Sequence, residues 1–509
     1  MAPAKRIRAA VIGAGISGIV TAAHLLKEEF DVTVFERSSV AGGVWVFDNR
    51  KPLEPAYPSV LPSEAQRYYN EIDSHKKGTL QIEIEGLLHA PPGPCYNGLR
   101  NNVSTPLLET TLNRFPPGTP DFVSHSVLRE YIQEIATKTG VLDVTRFDTE
   151  VKNVWKSGSQ WLVNAVTLKS DNSGKVSRSW TLEEFDSVIV ASGHYHAPRI
   201  PDIPGLADWK QRWPHRVQHS KSYRGPDDFK EKVGMVPLTG YHYFRSNWLT
   251  EDKQNFLLIG ASVSSSDIAR EVGPIANKIY QSHRNGAYDL PANFLPENAV
   301  RVDEVSSFEI RRDSNTPLAD QDPICSTITL TSGHKLRDIH HVILCTGYHI
   351  TLPFLRHLHS DTTAPQNADE KILVTDGTQF HNLHKDIFYI PDPTLIFIGV
   401  PFFTATFTLF EFQAMVVAKV LSGHAKLPSE EEMRKEYRRR VQEKGVGKGF
   451  HSLRGVEVEY VEELIKWVNE DLRRLGMGGK VLKGHTEGWH RARREHLERV
   501  EALFGGVRR

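Results

Sequence analysis

Cysteine is scarce in this chain of 509 residues, where only Cys95, Cys325 and Cys345 occur and no two lie close together in the sequence. A disulfide framework or a dithiol redox centre needs paired cysteines, and a cysteine zinc site needs clustered ones, so the spacing disfavours all three. We therefore expect a reducing compartment and no metal site.

An excess of either charge is also missing, since 62 Lys and Arg residues balance 62 Asp and Glu residues. Without a basic field over the chain, nucleic acid and anionic membranes are poor candidate partners. The longest apolar region, 395–409, is interrupted by Gly399 and Pro401 and is shorter than the ~20 residues that span a bilayer. The basic start leads directly into a strand and leaves no room for a signal peptide. We expect a cytoplasmic protein without a transmembrane segment.

The first strong pattern is a strand, a glycine turn, a helix and a second strand within residues 9–36. Its glycines have the GxGxxG spacing, and the second strand ends in Glu36, whose carboxylate is placed to bind a ribose diol. This order predicts a dinucleotide site for FAD or NAD, with the pyrophosphate at the helix N-terminus. A glycine-rich turn without function is the alternative. The candidate cofactor-binding residues here are Gly13, Gly15, Gly18, Glu36 and the adjacent Arg37.

A second unit of the same kind begins with the apolar residues 256–259, but serines occupy its second and third glycine positions. At the position that corresponds to Glu36 the chain has no carboxylate, and Arg284 lies beside it. A carboxylate repels a 2′-phosphate, whereas arginine pairs with it, so this unit predicts an NADP site. An ordinary solvated arginine is the alternative. The candidates are Gly260, Ser262, Ser265, Ser282 and Arg284.

Two similar strand ends, 188–195 and 342–348, bracket the second unit. Each is an apolar run broken by glycine, as expected where a chain crosses between two packed α/β domains. The predicted fold is α/β, with two Rossmann-like dinucleotide-binding domains and the NADP domain inserted into the FAD domain. We expect residues 1–195 and 349–509 to form the FAD-binding domain, the latter with C-terminal helices, and residues 196–348 to form the NADP-binding domain.

Together with further motifs, these units resemble the flavin-containing monooxygenases, single-component flavoproteins that use FAD and NADPH. The likeness covers most of residues 7–435. The motifs that carry it are the flavin-side segment with Gly43 and Trp45, the stretch 96–102 that resembles Leu-x-Thr-Asn, the fingerprint-like 213–223, the linker 345–348, and the helix segment 411–414 with Gln413.

The resemblance implies that NADPH reduces FAD, that the flavin captures O₂ as a C4a-hydroperoxide, and that one oxygen atom passes to a soft nitrogen or sulfur centre of a small molecule. Asn102 stands at the position of the family's asparagine near the flavin reactive carbon and is the candidate catalytic residue. Gly43, Trp45 and Gln413 are further cofactor-binding candidates by the same likeness. The substrate stays open, as does a homo-oligomer.

Several alternatives remain. A Baeyer–Villiger monooxygenase is disfavoured because Tyr223 stands where those relatives usually carry tryptophan. A flavin-binding protein with impaired turnover is suggested by the serines of the second glycine turn and by His215. His215 replaces a fingerprint glycine and would be strained if that position has φ > 0. His219 is a candidate either for packing of the interdomain linker or for a direct part in catalysis. The aromatic residues Phe402, Phe403, Phe407 and Phe410 are predicted either to line a substrate pocket or to pack in the core.

Residues 233–254 show neither helical nor strand periodicity, although they contain four aromatic side chains. They separate the family-like sequence from the second dinucleotide unit and are long for a loop. Two interpretations are open: a lineage-specific surface loop, or a retained intron whose 22 codons keep the reading frame. The intron hypothesis predicts that deleting the segment leaves a folded, FAD-binding protein.

Overall fold

The computed structural model describes residues 6–66, 79–170, 176–230, 253–310, 318–319 and 322–503. Its helices are α1 (Ile16–Lys27), α2 (Thr79–His89), α3 (Thr105–Leu108), α4 (His125–Lys138), α5 (Leu206–Arg212), α6 (Val263–Val272), α7 (Thr406–Leu421), α8 (Glu430–Lys444), α9 (Glu457–Arg474) and α10 (Glu487–Leu503). No helix within these ranges is long and apolar enough to cross a membrane.

Its strands are β1 (Arg8–Ile12), β2 (Asp31–Phe35), β3 (Thr145–Arg146), β4 (Thr149–Ser157), β5 (Gln160–Ser170), β6 (Val176–Phe185), β7 (Ser187–Val190), β8 (Ala197–Pro198), β9 (Val217–His219), β10 (Gln254–Ile259), β11 (Ala276–Ser282), β12 (Ala299–Val302), β13 (Val305–Phe308), β14 (Ile328–Leu330), β15 (Lys335–Leu336), β16 (His341–Leu344), β17 (Tyr348–His349), β18 (Leu383–His384), β19 (Phe388–Tyr389) and β20 (Leu395–Phe397).

The larger sheet has the order β18-β19-β20-β7-β1-β2-β3 and therefore combines strands from both ends of the chain. Its central strand β1 runs parallel to β2 and β7, and residues 9–12 are buried. A parallel strand covered on both faces needs apolar side chains throughout, which explains why this segment reads as a continuous apolar run. Helices α1 and α7 pack against each other in the core of this sheet.

The second sheet has the order β12-β11-β10-β16-β9, and all of its paired strands are parallel. Because its strands lie between those of the larger sheet in the chain, the predicted insertion of one Rossmann-like domain into the other is confirmed. The domain limits at 195/196 and 348/349 stay a prediction. Near these limits the two crossing segments, which contain β8 and β17, pair in antiparallel fashion.

Residues 233–254, interpreted above as a surface loop or a retained intron, lie outside the described ranges except for the last two. Gln254 is the first residue of β10, where it pairs with Ala276, and its Oε1 lies 3.0 Å from His341 Nε2. The segment therefore ends inside the nucleotide-binding strand. A deletion that spares β10 has to stop before Gln254.

The C-terminal helices are present, and one of them is more than a surface helix. Helix α9 packs on α7 and buries Leu464, Val468 and Leu472. Helix α8 is held by an ion pair in the interior, in which Arg440 Nη2 lies 2.8 Å from both carboxylate oxygens of Asp386. His451 Nδ1 lies 2.9 Å from the same carboxylate. Burial by itself raises the pKa of Asp386, but Arg440 and His451 outweigh it and hold that pKa below its ordinary value.

This ion pair generates a stability prediction. We expect Arg440→Ala to lower the free energy of unfolding by about 3–5 kcal/mol, because it leaves the buried carboxylate of Asp386 without its main counter-charge. Arg439→Ala, on the exposed face of the same helix, is the matched control and is expected to stay within about 0.5 kcal/mol of the parent. Denaturant unfolding of both variants measures the difference. Equal stability would show that the interior pair adds nothing.

Candidate functional site

The first glycine turn has backbone geometry that excludes side chains. Gly13 has φ +109°, its N–H donates to Phe35 O at 2.8 Å, and a Cβ there would lie 2.6 Å from Ala191 O. A Cβ on Gly18 would collide with the carbonyl of Gly13. These two glycines are therefore required by the protein itself, the first for the turn and the second for close packing of α1 on the strand.

Gly15 is different, because the protein leaves room beside it. A Cβ there would lie 3.5 Å from Gly43 Cα, an ordinary contact, and α1 begins at the next residue without a side-chain cap on its N–H groups. Gly43 has φ +56°, and Gly42 N–H donates to Ala14 O at 3.0 Å, so this segment lies against the turn. The free helix N-terminus and the two bare backbones fit a pyrophosphate.

The carboxylate predicted to bind ribose lies at the same edge. Glu36 is buried, and its Oε2 accepts the Ala14 N–H at 2.7 Å while Oε1 accepts from the N–H and the hydroxyl of Ser38. Arg37 Nη2 donates to His196 Nδ1 at 2.6 Å. Since a guanidinium only donates, the proton of this imidazole is on Nε2, which lies 2.7 Å from Ser192 O. Arg37 is thus fixed against the first crossing segment.

Adjacent asparagines have different environments in the segment 96–102. Asn101 is buried, donates to Val103 O and Asp121 O, and accepts the Val123 N–H at 2.6 Å. Asn102 is exposed, and its amide has no hydrogen-bond partner within the part of the chain that the structure describes. The first amide therefore holds the backbone, and the second is available for a ligand.

Two further predicted residues contact the C-terminal part of the larger domain. The half-buried Trp45 ring packs edge-on against Phe407, with the ring centroids 6.3 Å apart. Gln413 is fully buried, accepts the Gly399 N–H at 3.0 Å and donates to Tyr460 Oη at 2.9 Å. Both ends of this amide are bonded within the protein, so Gln413 anchors the Gly399 turn on α7. A cofactor contact by Gln413 stays a prediction.

The second glycine turn repeats the geometry of the first. Gly260 has φ +112°, its N–H donates to Ser282 O at 2.9 Å, and a Cβ there would collide with the Cys345 carbonyl. Ser262 precedes α6 and places no side-chain cap on its N–H groups. As at the first turn, the helix N-terminus is free for phosphate.

The predicted serines of this unit divide into two roles. Ser265 is fully buried, donates to Ser262 O and accepts from Gln281 Nε2, both at 2.9 Å. The Ser282 hydroxyl donates to Asp303 O at 3.0 Å. These two hydroxyls hold the turn and the end of β11, whereas Ser262 stays a candidate for direct phosphate contact.

Arg284 follows β11 and is largely exposed, with Glu304 3.8 Å away as a weak partner. Two further cations, which no motif in the sequence indicated, lie near it. Burial lowers the pKa of Lys448, and the charges of Arg199 and Arg284 lower it further. Arg199 and Lys448 come from distant parts of the chain, so no local pattern could connect them with Arg284. The three residues bring cationic side chains together at this edge, where Glu304 and Asp376 are the neighbouring carboxylates.

A third missed cation lies between the two units. Lys221 is buried, and its Nζ donates to His196 O at 2.8 Å. Burial lowers its pKa to about 7, and the neighbouring Arg37 and Arg224 contribute to that shift. This excess of positive charge fits an anionic cofactor, since phosphate would relieve the repulsion.

The fingerprint histidines are settled by their surroundings. His219 is fully buried, accepts the Lys221 N–H at Nδ1 and donates from Nε2 to Gly347 O, both at 3.1 Å. Burial lowers its pKa to about 3, so it is a neutral linker residue. The strain expected at His215 was a wrong prediction, because His215 lies in an exposed turn and its φ is not positive.

The four aromatic residues within 402–410 have two kinds of environment. Phe407 is fully buried and Phe410 packs against the main core, so core packing is right for these two. Phe402 and Phe403 instead lie against Tyr288, with ring centroids 6.2 and 5.8 Å away. A pocket role for Phe402 and Phe403 stays a prediction.

The contrast between Gly15 and Gly18 is testable. We expect Gly15→Ala to fold normally but to lower the affinity for the dinucleotide predicted at this turn by roughly tenfold or more, about 1.4 kcal/mol, because the new Cβ occupies the space of the pyrophosphate. Gly18→Ala is expected to lower the melting temperature instead. Flavin absorbance per protein after desalting, together with thermal unfolding, separates the effects. Full flavin content in Gly15→Ala would contradict the assignment of this turn.

Comparison with known proteins agrees with the two turns. The flavin-binding monooxygenase-like family model matches residues 95–294 and 324–474, which is more than half of the chain, and an NAD(P)-binding Rossmann-like domain matches residues 11–55. The chain is 46% identical to the flavin-containing monooxygenase ustF2 of Aspergillus flavus, over 99% of each protein. It is 29% identical to the flavin-containing monooxygenase iboF of Amanita muscaria, over 91% of this chain and 88% of that protein.

Two solved structures share the fold. The S-allyl-L-cysteine S-oxygenase of Allium sativum superposes with a TM-score of 0.63 at 22% identity, covering 98% of this chain and 95% of that one. Tmm from Pelagibacter sp. strain HTCC7211 gives a TM-score of 0.62 at 19% identity, with 95% and 98% coverage. The resemblance inferred from the motifs is confirmed. The chain belongs to the flavin-containing monooxygenase family and is an oxidoreductase that uses FAD and NADPH.

Proposed function

We propose that this enzyme transfers one oxygen atom from O₂ to a soft nitrogen or sulfur centre of a small molecule, with the C4a-hydroperoxide of the flavin as the oxygenating species. The observation that supports this most is the presence of two glycine turns with oppositely charged neighbours. The first turn lies beside the carboxylate of Glu36, and the second lies near the guanidinium of Arg284. The first suits the ribose of FAD, and the second suits the 2′-phosphate of NADPH.

The protein's own groups would bind and orient the two cofactors and would limit proton transfer near the flavin. The N-termini of α1 and α6 bind the two pyrophosphates, and Arg284 binds the 2′-phosphate in the field of Arg199 and Lys448. Asn102 offers an amide beside the flavin, which hydrogen-bonds without adding an acid. His219, with a pKa of about 3, is a neutral imidazole and supplies no acidic imidazolium near neutral pH.

Two competing functions are weaker. Tyr223 disfavours Baeyer–Villiger oxidation of a ketone, because the relatives that catalyse it usually carry tryptophan at this position. A protein with impaired turnover was motivated by His215 and by the serines of the second glycine turn, and the absence of a positive φ at His215 removes the first of these reasons.

Product analysis tests the proposal directly. The holoenzyme is supplied with NADPH, O₂ and one of three probes: a thioether, a tertiary amine or a cyclic ketone. S-allyl-L-cysteine, the compound by which the Allium sativum enzyme is named, is a suitable thioether. An S-oxide or N-oxide supports the proposal, a lactone favours the Baeyer–Villiger alternative, and hydrogen peroxide alone with all probes favours impaired turnover.

Asn102 generates a prediction about coupling. We expect Asn102→Ala to retain FAD and NADPH oxidation but to release hydrogen peroxide in place of oxygenated product, because the amide supports the oxygenating state more than flavin reduction. Peroxide formed per NADPH oxidised is the measurement. Asn101→Ala is the comparison, since it removes the three hydrogen bonds of a buried side chain and is expected to lower stability. Unchanged coupling in Asn102→Ala would end the assignment.

Arg284 generates a prediction about cofactor choice. Loss of a charge-assisted hydrogen bond costs about 1.5–3 kcal/mol, so Arg284→Ala is expected to raise the KM for NADPH by roughly 10- to 150-fold and to leave NADH use nearly unchanged. Lys335→Ala removes another exposed, carboxylate-paired cation of the same domain and serves as the control. Equal losses with both cofactors would make Arg284 a structural residue.

A further inference from the structure

Two tyrosines connect the NADP-binding helix to the segment that carries Asn102. Tyr96 Oη donates to Asp267 Oδ2 at 2.9 Å, and Tyr223 Oη donates to Glu271 Oε2 at 2.7 Å. Asp267 and Glu271 are one turn apart on α6, so they share a face of that helix. Tyr96 begins the segment 96–102, and Tyr223 ends the fingerprint. Three separate motifs of the sequence therefore meet at these two hydrogen bonds.

The contact is partly removed from solvent, which strengthens its hydrogen bonds. Tyr223 is fully buried, and the Tyr96 and Tyr223 rings pack edge to face with their centroids 5.5 Å apart. Burial raises the pKa of Glu271, and the nearby charge of Asp267 raises it as well, although the bond from Tyr223 acts in the opposite direction. A carboxylate in such a place loses a large part of its stabilisation when its donor is removed.

The backbone of the segment is shaped to this contact. A Cβ on Gly98 would collide with the Glu271 carboxylate, so a larger residue at position 98 would force the end of that side chain to move. The Asn97 N–H donates to Arg224 O at 2.9 Å, which fixes the segment to the residue after Tyr223. At its other side, His125 N–H donates to Leu99 O at 2.9 Å. The segment is thus held between α6 and α4.

We infer that Tyr96 and Tyr223 are positioning residues that tie α6 to the segment 96–102, so that NADP bound at the N-terminus of α6 and the Asn102 amide keep a defined relative position. Helix α6 starts at Val263, directly after Ser262 of the second glycine turn. A dinucleotide bound at that turn therefore contacts the same helix to which the two phenols are hydrogen-bonded. The inference rests on the proposed function, because it gives Asn102 its role at the flavin.

The test uses the FAD-loaded enzyme and approaches the contact from both sides. Tyr223→Phe removes only the donor, and Gly98→Ala displaces the Glu271 carboxylate. Glu271→Gln keeps an acceptor oxygen and is the conservative variant. Tyr389→Phe is the control, since it also removes a hydroxyl bonded at 2.6 Å to a backbone carbonyl, but in the C-terminal part of the chain. The readouts are peroxide formed per NADPH oxidised and the change in flavin absorbance when NADP⁺ binds.

We expect Tyr223→Phe and Gly98→Ala to raise the peroxide fraction roughly twofold or more and to diminish the NADP⁺-induced absorbance change. FAD content is expected to stay unchanged, and Glu271→Gln and Tyr389→Phe to behave like the parent. The inference fails if Tyr223→Phe and Gly98→Ala match the parent in both readouts, or if Tyr389→Phe changes them equally. If one variant does not fold, the other decides.

Failure of the proposed function looks different. In that case the parent enzyme itself forms no oxygenated product with any probe. The absorbance change on NADP⁺ binding then decides the inference alone, because it needs no oxygen transfer.

Discussion

The approach of a glycine backbone to a crossing segment is the constraint on which both dinucleotide sites depend. Gly13 faces the carbonyl of Ala191, and Gly260 faces the carbonyl of Cys345, each with a positive φ and no room for a Cβ. The contact fixes each turn against the point where the chain leaves its sheet. The two crossing segments also pair with each other through β8 and β17. Both glycine turns therefore pack against the same connected structure between the domains.

That shared structure is built from backbone and neutral rings around a few cations. Burial lowers the pKa values of His196 and His219, so both imidazoles act as hydrogen-bonded spacers. Lys221 lies beside them with Arg37 and Arg224 as neighbours, and it has few counter-charges. An arrangement of this kind is costly for the protein alone, and the phosphates of a bound cofactor would lower that cost.

Two carboxylates of α6 connect that helix to other parts of the chain through tyrosine hydroxyls. Asp267 and Glu271 each accept a hydrogen bond from a phenol, and Asp267 also accepts one from Arg270 of the same helix. The two phenol contacts connect α6 to other segments through directed bonds of short reach. Such contacts depend on the position of the helix more steeply than an ion pair does, since hydrogen bonds weaken quickly with distance and angle. A link of this kind suits parts that must keep their relative position.

The sequence by itself determined the two strand, glycine and helix units, the difference between Glu36 and Arg284, and the insertion of one domain into the other. These follow from local patterns, because a turn that needs glycine and a strand that needs apolar residues on both faces leave marks within a few positions. The retained intron or loop at 233–254 stays open.

Only the tertiary structure decided which polar groups are free. It engaged Ser265 and Ser282 in internal hydrogen bonds, left the Asn102 amide available, and removed the strain expected at His215. It also brought Lys448 near Arg284 and Glu271 to Tyr223. The partners of a buried polar side chain come from segments far away in the chain, so packing selects them and no local spacing records the choice.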